Sequence, residues 1–131
     1  METAGAAKAR TFLDAFSRGD EQALRDLFTD DVALHVSGSN PGSGDHRGVD
    51  AVLAYLDRLR TESAGTYALA PESLLASDHH AAVVARATAQ REGGRSLDVL
   101  VAHTFTVRSD GRWREHWICT NDQDAEDAFW S

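Results

Sequence analysis

The sequence has little of what marks secreted, membrane-spanning or nucleic-acid-binding proteins. Its only cysteine, Cys119, excludes an internal disulfide. No apolar run approaches the roughly 20 residues that a bilayer-spanning helix needs, and no signal-peptide pattern is present. Acidic residues number 21 against 13 basic ones, giving a net charge of −8, and no basic stripe interrupts this excess. We therefore expect a cytoplasmic protein that binds neither membranes nor nucleic acid.

Motifs for metal, cofactor or nucleophilic chemistry are missing as well. The histidines have no recognised ligand spacing and no associated carboxylate motif such as HExxH. No GxSxG elbow occurs, and Cys119 has no evident activating neighbour. We expect chemistry without a metal, a cofactor or a covalent intermediate.

What the sequence does contain is enough apolar material for one folded unit. Hydrophobic residues make up 42% of the 131 residues, which argues against disorder. A chain of this size buries roughly two-thirds of its unfolded surface, and it has no room for a second core. We predict a single domain over residues 1–131.

The first sixty residues carry a helical pattern. In residues 3–18 apolar side chains recur at helical spacing, and Gly19 ends this helix. Asp20 can cap a short second helix, and a third is predicted over residues 49–59. Between them lie a predicted strand, residues 32–36, and a long polar loop, residues 38–48. Structureless loops of that length in small domains are often functional.

From residue 65 onward the hydrophobic period changes to two, which indicates strands. The predicted strands cover residues 66–76, 81–90, 96–108 and 112–120. Tight turns are predicted at 92–94 and 109–111. Three helices at one side of a curved antiparallel sheet predict an α+β fold.

One histidine interrupts the apolar face of the longest strand. From Leu97 to Val107 every second residue is apolar except His103. A buried imidazole loses on the order of 1–3 kcal/mol for a nitrogen without a partner. The residue is either a core histidine bonded to a hydroxyl or carbonyl, or a pocket histidine that moves protons. Small side chains on the preceding strand favour the pocket, because they leave volume unfilled.

The last predicted strand leaves its orientation open. One face carries Trp113, Glu115, Trp117 and Cys119. The other carries Arg114, His116, Ile118 and Thr120. Hydrophobicity alone buries the tryptophans, whereas a bulge, or a dimer interface over the outer side, reverses that orientation.

Several short motifs resemble the SnoaL-like and ketosteroid-isomerase-like superfamily, which shares the nuclear transport factor 2 fold. They are Arg18-Gly19-Asp20, the stretch 27–32, the stretch 48–55, and Asp110-Gly111-Arg112 followed by Glu115-His116-Trp117. The resemblance covers nearly the whole chain. It implies a cone-shaped, cystatin-like roll in which a curved antiparallel sheet and three N-terminal helices enclose a pocket. A homodimer is expected for such a sheet.

The resemblance also implies that the acid/base residues of the superfamily's enzymes are replaced here. The tyrosine of ketosteroid isomerases falls on Phe12, their base aspartate on Val36, and their second aspartate on His103. The aspartate that follows the tryptophan in SnoaL-type cyclases falls on Ile118. We therefore expect neither steroid isomerisation nor cyclisation by those aspartate mechanisms.

Histidines remain as acid/base candidates. They are His103, His116 and His35, the last resembling the first-strand histidine of cyclases. We favour the family's strand orientation, which turns His116 and Ile118 to the pocket and the two tryptophans outward. Tyr55 is either helix packing or a ligand contact. The residues predicted to contact substrate are Phe12, Phe16, Val36, Tyr55, Val101, Phe105, Trp117 and Ile118.

The function predicted from these residues is a cofactor-free isomerase, cyclase or dehydratase. A small, mostly apolar substrate bearing a carbonyl or hydroxyl enters beside the 38–48 loop. There His103 exchanges a proton with the developing oxyanion or enolate, and His116 acts as the complementary acid or base. The alternative is a binding or dimerisation domain without catalysis, which the losses at Phe12, Val36 and Ile118 favour.

Overall fold

A computed structural model describes residues 3–108 and 110–131. The helices are α1 (Ala4–Arg18), α2 (Glu21–Leu27), α3 (Val49–Thr61) and α4 (Gln123–Trp130). The strands are β1 (Phe28–Val36), β2 (Gly44–Arg47), β3 (Ala68–Ala76), β4 (His80–Arg91), β5 (Arg95–Val107) and β6 (Trp113–Thr120). Residue 109, in the second predicted tight turn, lies outside the described residues.

The six strands form one sheet in the order β2-β1-β6-β5-β4-β3. All neighbouring strands are antiparallel except β1 and β6, which run parallel. The α+β fold with a curved sheet is therefore confirmed, but the expectation of a wholly antiparallel sheet is wrong. The parallel pair is possible because β1 and β6 are separated by α3 and four strands, which provide the long crossover that parallel strands need.

The first two helices begin and end where the capping residues predict. The side chain of Thr3 accepts a hydrogen bond from the Ala6 N–H, and Gly19 ends α1 in the left-handed conformation with a φ of 67°. The Asp20 carboxylate then accepts from the Ala23 N–H at 3.1 Å and caps α2. Phe28, which continues the apolar pattern of this helix in the sequence, instead begins β1. The pairing of β1 is irregular between Phe28 and Ala33, which hides the start of the strand from a period-two search.

Two elements lie where no helix or strand was predicted. β2 forms inside the 38–48 loop and pairs with β1, with Leu34 opposite His46. Beyond β6, the Asp122 carboxylate accepts from the Ala125 N–H at 3.1 Å and caps α4. Residues 44–47 of the predicted loop are therefore strand, and a helix follows β6.

The core lies between the helices and one face of the sheet, which we call the inner face. Phe12 and Phe16 of α1 and Leu56 of α3 are buried there. Phe129 and Trp130 of α4 join the same apolar cluster. None of the helices in the described part of the chain is long and apolar enough to cross a membrane.

Candidate functional site

The central strand β5 places His103 on the inner face. His103 lies opposite Val83 of β4 and Ile118 of β6, and only 2% of it is exposed. The alternation predicted for this strand holds, since Val101 and Phe105 are buried on the same face. The period-two pattern of the sequence therefore correctly predicted that the His103 side chain points to the inner face.

An irregularity in β6 decides which of its residues face inward. Val107 of β5 pairs with Trp113 and Thr106 pairs with Glu115, so β6 contributes one extra residue at this point. Because a bulge reverses the facing of residues on its two sides, both Trp113 and His116 are fully buried. The family orientation therefore holds for His116 and Ile118. The expectation that both tryptophans face outward is wrong for Trp113.

The two buried histidines form a hydrogen-bonded pair. His103 Nδ1 lies 2.9 Å from His116 Nε2, and the ring centroids are 5.1 Å apart. The remaining ring nitrogens, His103 Nε2 and His116 Nδ1, have no hydrogen-bond partner among the described residues. The histidine pair is thus a polar element with two unused ends inside an apolar core.

Aromatic rings enclose the histidine pair. Phe12 has its ring centroid 5.6 Å from that of His103 and 5.7 Å from that of His116. Phe105 lies 4.2 Å and Phe28 6.3 Å from His116. Phe12 and Phe105 were predicted to contact substrate; in the structure they pack against the histidines themselves.

Burial keeps both histidines neutral at pH 7. It lowers the pKa of His103 to about 4. The pKa of His116 lies well below 6.5, first because of burial and then because of the neighbouring His103. A charged imidazolium would lose its hydration here without gaining a carboxylate partner.

Neutrality restricts the pair to two proton arrangements, because each neutral imidazole carries one N–H. If His116 Nε2–H donates to His103 Nδ1, then His103 Nε2 is a donor and His116 Nδ1 an acceptor. If the shared proton lies on His103 Nδ1, these outer roles are exchanged. In either arrangement the pair presents one donor and one acceptor at its two ends, so it can pass a proton from end to end.

His35, the third predicted catalytic residue, lies away from the pair. It faces the outer side of the sheet, with Nδ1 2.7 Å from Asp45 Oδ1 and Nε2 2.9 Å from Glu115 Oε2. Its ring stacks on Trp117, a predicted substrate residue, at a centroid distance of 5.5 Å. The hydrogen bond to Asp45, followed by that to Glu115, raises the pKa of His35. The structure therefore does not bring His35 and Trp117 together with His103 and His116.

A small cavity lies against α4, and we call it the α4 cavity. Its volume is about 20 Å³. Three predicted substrate residues line it: Val36, Tyr55 and Ile118. Neither His103 nor His116 is among its lining residues. Phe16, also predicted to contact substrate, lines a separate cavity of about 290 Å³ between the first three helices.

The α4 cavity is also lined by residues that were not predicted from the sequence. They include Tyr67, which precedes β3, and Glu126 and Trp130 of α4. The Asp122 cap and the four-residue spacing of Ala125 and Phe129 were the available signals for α4, but the segment is too short for periodicity to stand out.

No group of three or more His, Cys, Asp or Glu side chains in residues 3–108 and 110–131 is arranged to hold a metal ion.

Comparison with known proteins identifies the family. The profile of the SnoaL-like domain matches residues 9–116, and the chain belongs to this family. The uncharacterized protein Rv0034 of Mycobacterium tuberculosis is 35% identical over 123 residues, which cover 93% of this chain and 92% of that protein.

Solved structures agree with this assignment. Bal32a, from a soil-derived mobile gene cassette, superposes with a TM-score of 0.92 at 31% identity, covering 98% of this chain and 97% of its own. An NTF2-like protein from Burkholderia xenovorans superposes with a TM-score of 0.82 at 23% identity. The superposition covers 100% of this chain and 99% of that protein. The predicted resemblance to the SnoaL-like superfamily and its nuclear transport factor 2 fold is therefore confirmed.

Proposed function

We propose that this chain is a cofactor-free acid/base enzyme of the isomerase, cyclase or dehydratase type, with the His103–His116 pair as its proton-transfer group. The observation that carries the proposal is the pair of unused ring nitrogens in a fully buried site. Each unsatisfied nitrogen costs about 1–3 kcal/mol of stability. A substrate oxygen at His103 Nε2 would recover part of that cost. An apolar side chain in place of the histidine would have avoided the cost altogether.

The pair offers a balanced route for a proton. When His103 Nε2 gives its proton to a substrate oxygen, His103 Nδ1 takes the shared proton from His116 Nε2. His116 Nδ1 then accepts a proton from the substrate or from water, and both rings end neutral. Isomerisation and dehydration both need one proton added and another removed, and this exchange supplies both.

The substrate that fits these surroundings is small, mostly apolar and bears a carbonyl or hydroxyl. Phe12, Phe105 and Trp113 provide apolar walls around the pair. A volume of about 20 Å³ holds one water molecule, so the α4 cavity must widen before an organic molecule enters. The proposal therefore requires the interior to open during turnover.

A second candidate is a binding or dimerisation domain without catalysis. The enclosure of the histidine pair by aromatic rings favours it. On the outer face of the sheet Leu75 is 71% exposed and Trp117 38% exposed. They border a surface depression of about 520 Å³, which suits a second copy of the chain. We propose a cytoplasmic homodimer that uses this face, and light scattering tests the dimer.

The test of catalysis is proton exchange. The protein is incubated in D₂O with a panel of small cyclic ketones and hydroxyketones, and NMR follows deuterium replacing the hydrogens next to the carbonyl. We expect exchange above the buffer rate in the unmodified protein and a loss of about 100-fold or more in His103→Leu. His79→Leu, which alters an exposed histidine in the β3–β4 turn, is the matched control.

Equal exchange rates in His103→Leu and in the unmodified protein would show that the pair is not the proton-transfer group. Ligands that stabilise the protein against heat, with no exchange at any pH, would instead support the binding domain.

A further inference from the structure

The α4 cavity holds a second group of polar side chains without partners. Tyr55, 9% exposed, and Tyr67, which packs partly buried against the core, both line it. Neither tyrosine hydroxyl has a hydrogen-bond partner among the described residues. Tyr67 also lies against Trp130, at a ring-centroid distance of 5.9 Å. Two hydroxyls without a protein hydrogen-bond partner among the described residues therefore lie beside one small cavity.

A carboxylate completes this group. Trp130 Nε1 donates to Glu126 Oε2 at 2.8 Å, and no hydrogen bond is made to Glu126 Oε1 within the described part of the chain. Burial, with a smaller contribution from Asp127, raises the pKa of Glu126. Glu126 in turn contributes to the raised pKa values of Tyr55 and Tyr67, so the three groups are electrostatic neighbours.

We propose that Tyr55, Tyr67 and Glu126 form a binding site for a hydroxyl group on an apolar ligand. This inference rests on the proposed function in one respect: the ligand occupies the same interior of the protein as the proposed substrate. A hydroxyl donates one hydrogen bond, which Glu126 Oε1 can accept, and its oxygen accepts from a tyrosine hydroxyl. The ligand body lies against the apolar residues of the cavity, Leu59, Ile118 and Trp130.

Other ligand groups satisfy these side chains less well. A carbonyl accepts hydrogen bonds but cannot donate one to Glu126, and a ligand carboxylate is repelled by Glu126. An ammonium would pair with Glu126 and with the aromatic rings, but it cannot accept from a tyrosine hydroxyl. A hydroxyl is therefore the group whose donor and acceptor both find partners.

Entry of the ligand requires α4 to shift. The side chains of Arg91 and Arg95 hold its C-terminal end by donating to the Phe129 carbonyl, at 2.6 and 3.2 Å. At its other side the Asp127 carboxylate accepts from the Ser39 N–H and from Asn40 Nδ2. These bonds are polar and reach the surface, so they can be exchanged for water when the helix moves.

Three related probes test the proposal: 1-naphthol, its methyl ether 1-methoxynaphthalene, and 1-naphthylmethylamine as the ammonium. Calorimetric titration of the unmodified protein should give about tenfold tighter binding of 1-naphthol than of the ether. Glu126→Gln keeps an acceptor for Trp130 but loses the carboxylate, and Tyr67→Phe keeps the ring contacts. Both variants should lose most of the preference for 1-naphthol.

Two controls separate this site from the histidine pair. Glu92→Gln removes one carboxylate from the exposed β4–β5 turn and should keep the preference. His103→Leu should also keep it, because the hydroxyl is held elsewhere. If His103→Leu abolishes the preference and Glu126→Gln retains it, the present inference is overturned while the proposed function stands.

Three further outcomes also overturn the inference. These are equal affinity for 1-naphthol and its ether, no binding of 1-naphthol, and tighter binding of the ammonium probe than of 1-naphthol. The last would show that the site recognises a cation instead.

Discussion

The two faces of this sheet hold histidines in opposite environments. Between β1 and β6, His116 lies opposite Leu34, and the next residue along β6, Trp117, lies opposite His35. On the inner face, His116 and His103 have only each other as polar partners. On the outer face, His35 lies between two carboxylates. The alternation of side chains along β1 and β6 separates the two environments.

The comparison shows that surroundings, not residue type, set the charge of a histidine. Burial without a carboxylate lowers the pKa of His103 to about 4. Hydrogen bonds to Asp45 and Glu115 raise the pKa of His35, which remains partly exposed. At neutral pH the inner pair can therefore exchange protons as neutral donors and acceptors, whereas the surroundings of His35 favour its protonated form, in which it links β1, β2 and β6.

The largest expected difference between the two faces is in packing. Phe12 contacts both inner histidines, Phe105 and Trp113, and Phe12→Ala should lower the free energy of unfolding by about 3–5 kcal/mol. Trp117→Ala, on the outer face, should cost much less. Urea unfolding of both variants measures the two costs. Similar losses would mean that the outer face is packed as tightly as the interior.

The second expected difference between the two faces is in how the free energy of unfolding changes at acidic pH. Because the pKa of His103 falls to about 4 in the folded state from an ordinary value near 6.5, the unfolded state binds more protons between these values. The stability that neutral His103 contributes is therefore complete above pH 6.5 and decreases as the pH falls. At pH 4 the loss is about 3 kcal/mol. Urea unfolding across this range should show a smaller decline for His103→Leu than for the unmodified protein. An identical decline in both would contradict the assignment.

The smallest expected effect is that of His35, and it has the opposite sign. A raised folded-state pKa stabilises the protein below pH 6.5, and this stability is lost as the pH rises through the raised value. Because Asp45 and Glu115 are 51% and 41% exposed, the gain should stay below about 1 kcal/mol. In His35→Gln this pH dependence of the free energy of unfolding should vanish. If the variant keeps it, the dependence comes from another group.

The sequence predicted the inner position of His103 because hydrophobic alternation is unbroken through β5. The residue pattern of β6 left its orientation open, and only the family resemblance predicted that His116 faces inward; its hydrogen bond with His103 depends on the extra residue in β6 opposite Thr106 and Val107. A bulge leaves no reliable mark in a single sequence, and here it buries Trp113 and His116 together.

The α4 cavity was less predictable still. Tyr67 precedes β3, whereas Glu126 and Trp130 lie in α4, far along the chain, and they meet because α4 folds back over the sheet. The parallel contact of β1 with β6 is likewise set by the tertiary fold and not by any local pattern. Local patterns therefore predicted the first three helices and all strands except β2, but not α4, and long-range contacts made the site.

The charge state of the inner histidine pair is the property on which its proposed chemistry most directly depends. NMR titration of the histidine ring signals, assigned with His103→Leu, His116→Leu and His35→Gln, measures each pKa in the folded protein. We expect His103 to titrate at about 4, His116 to stay neutral well below pH 6.5, and His35 to titrate above 6.5. Titration of His103 and His116 near 6.5 would show that both are solvated, and would contradict the buried neutral pair.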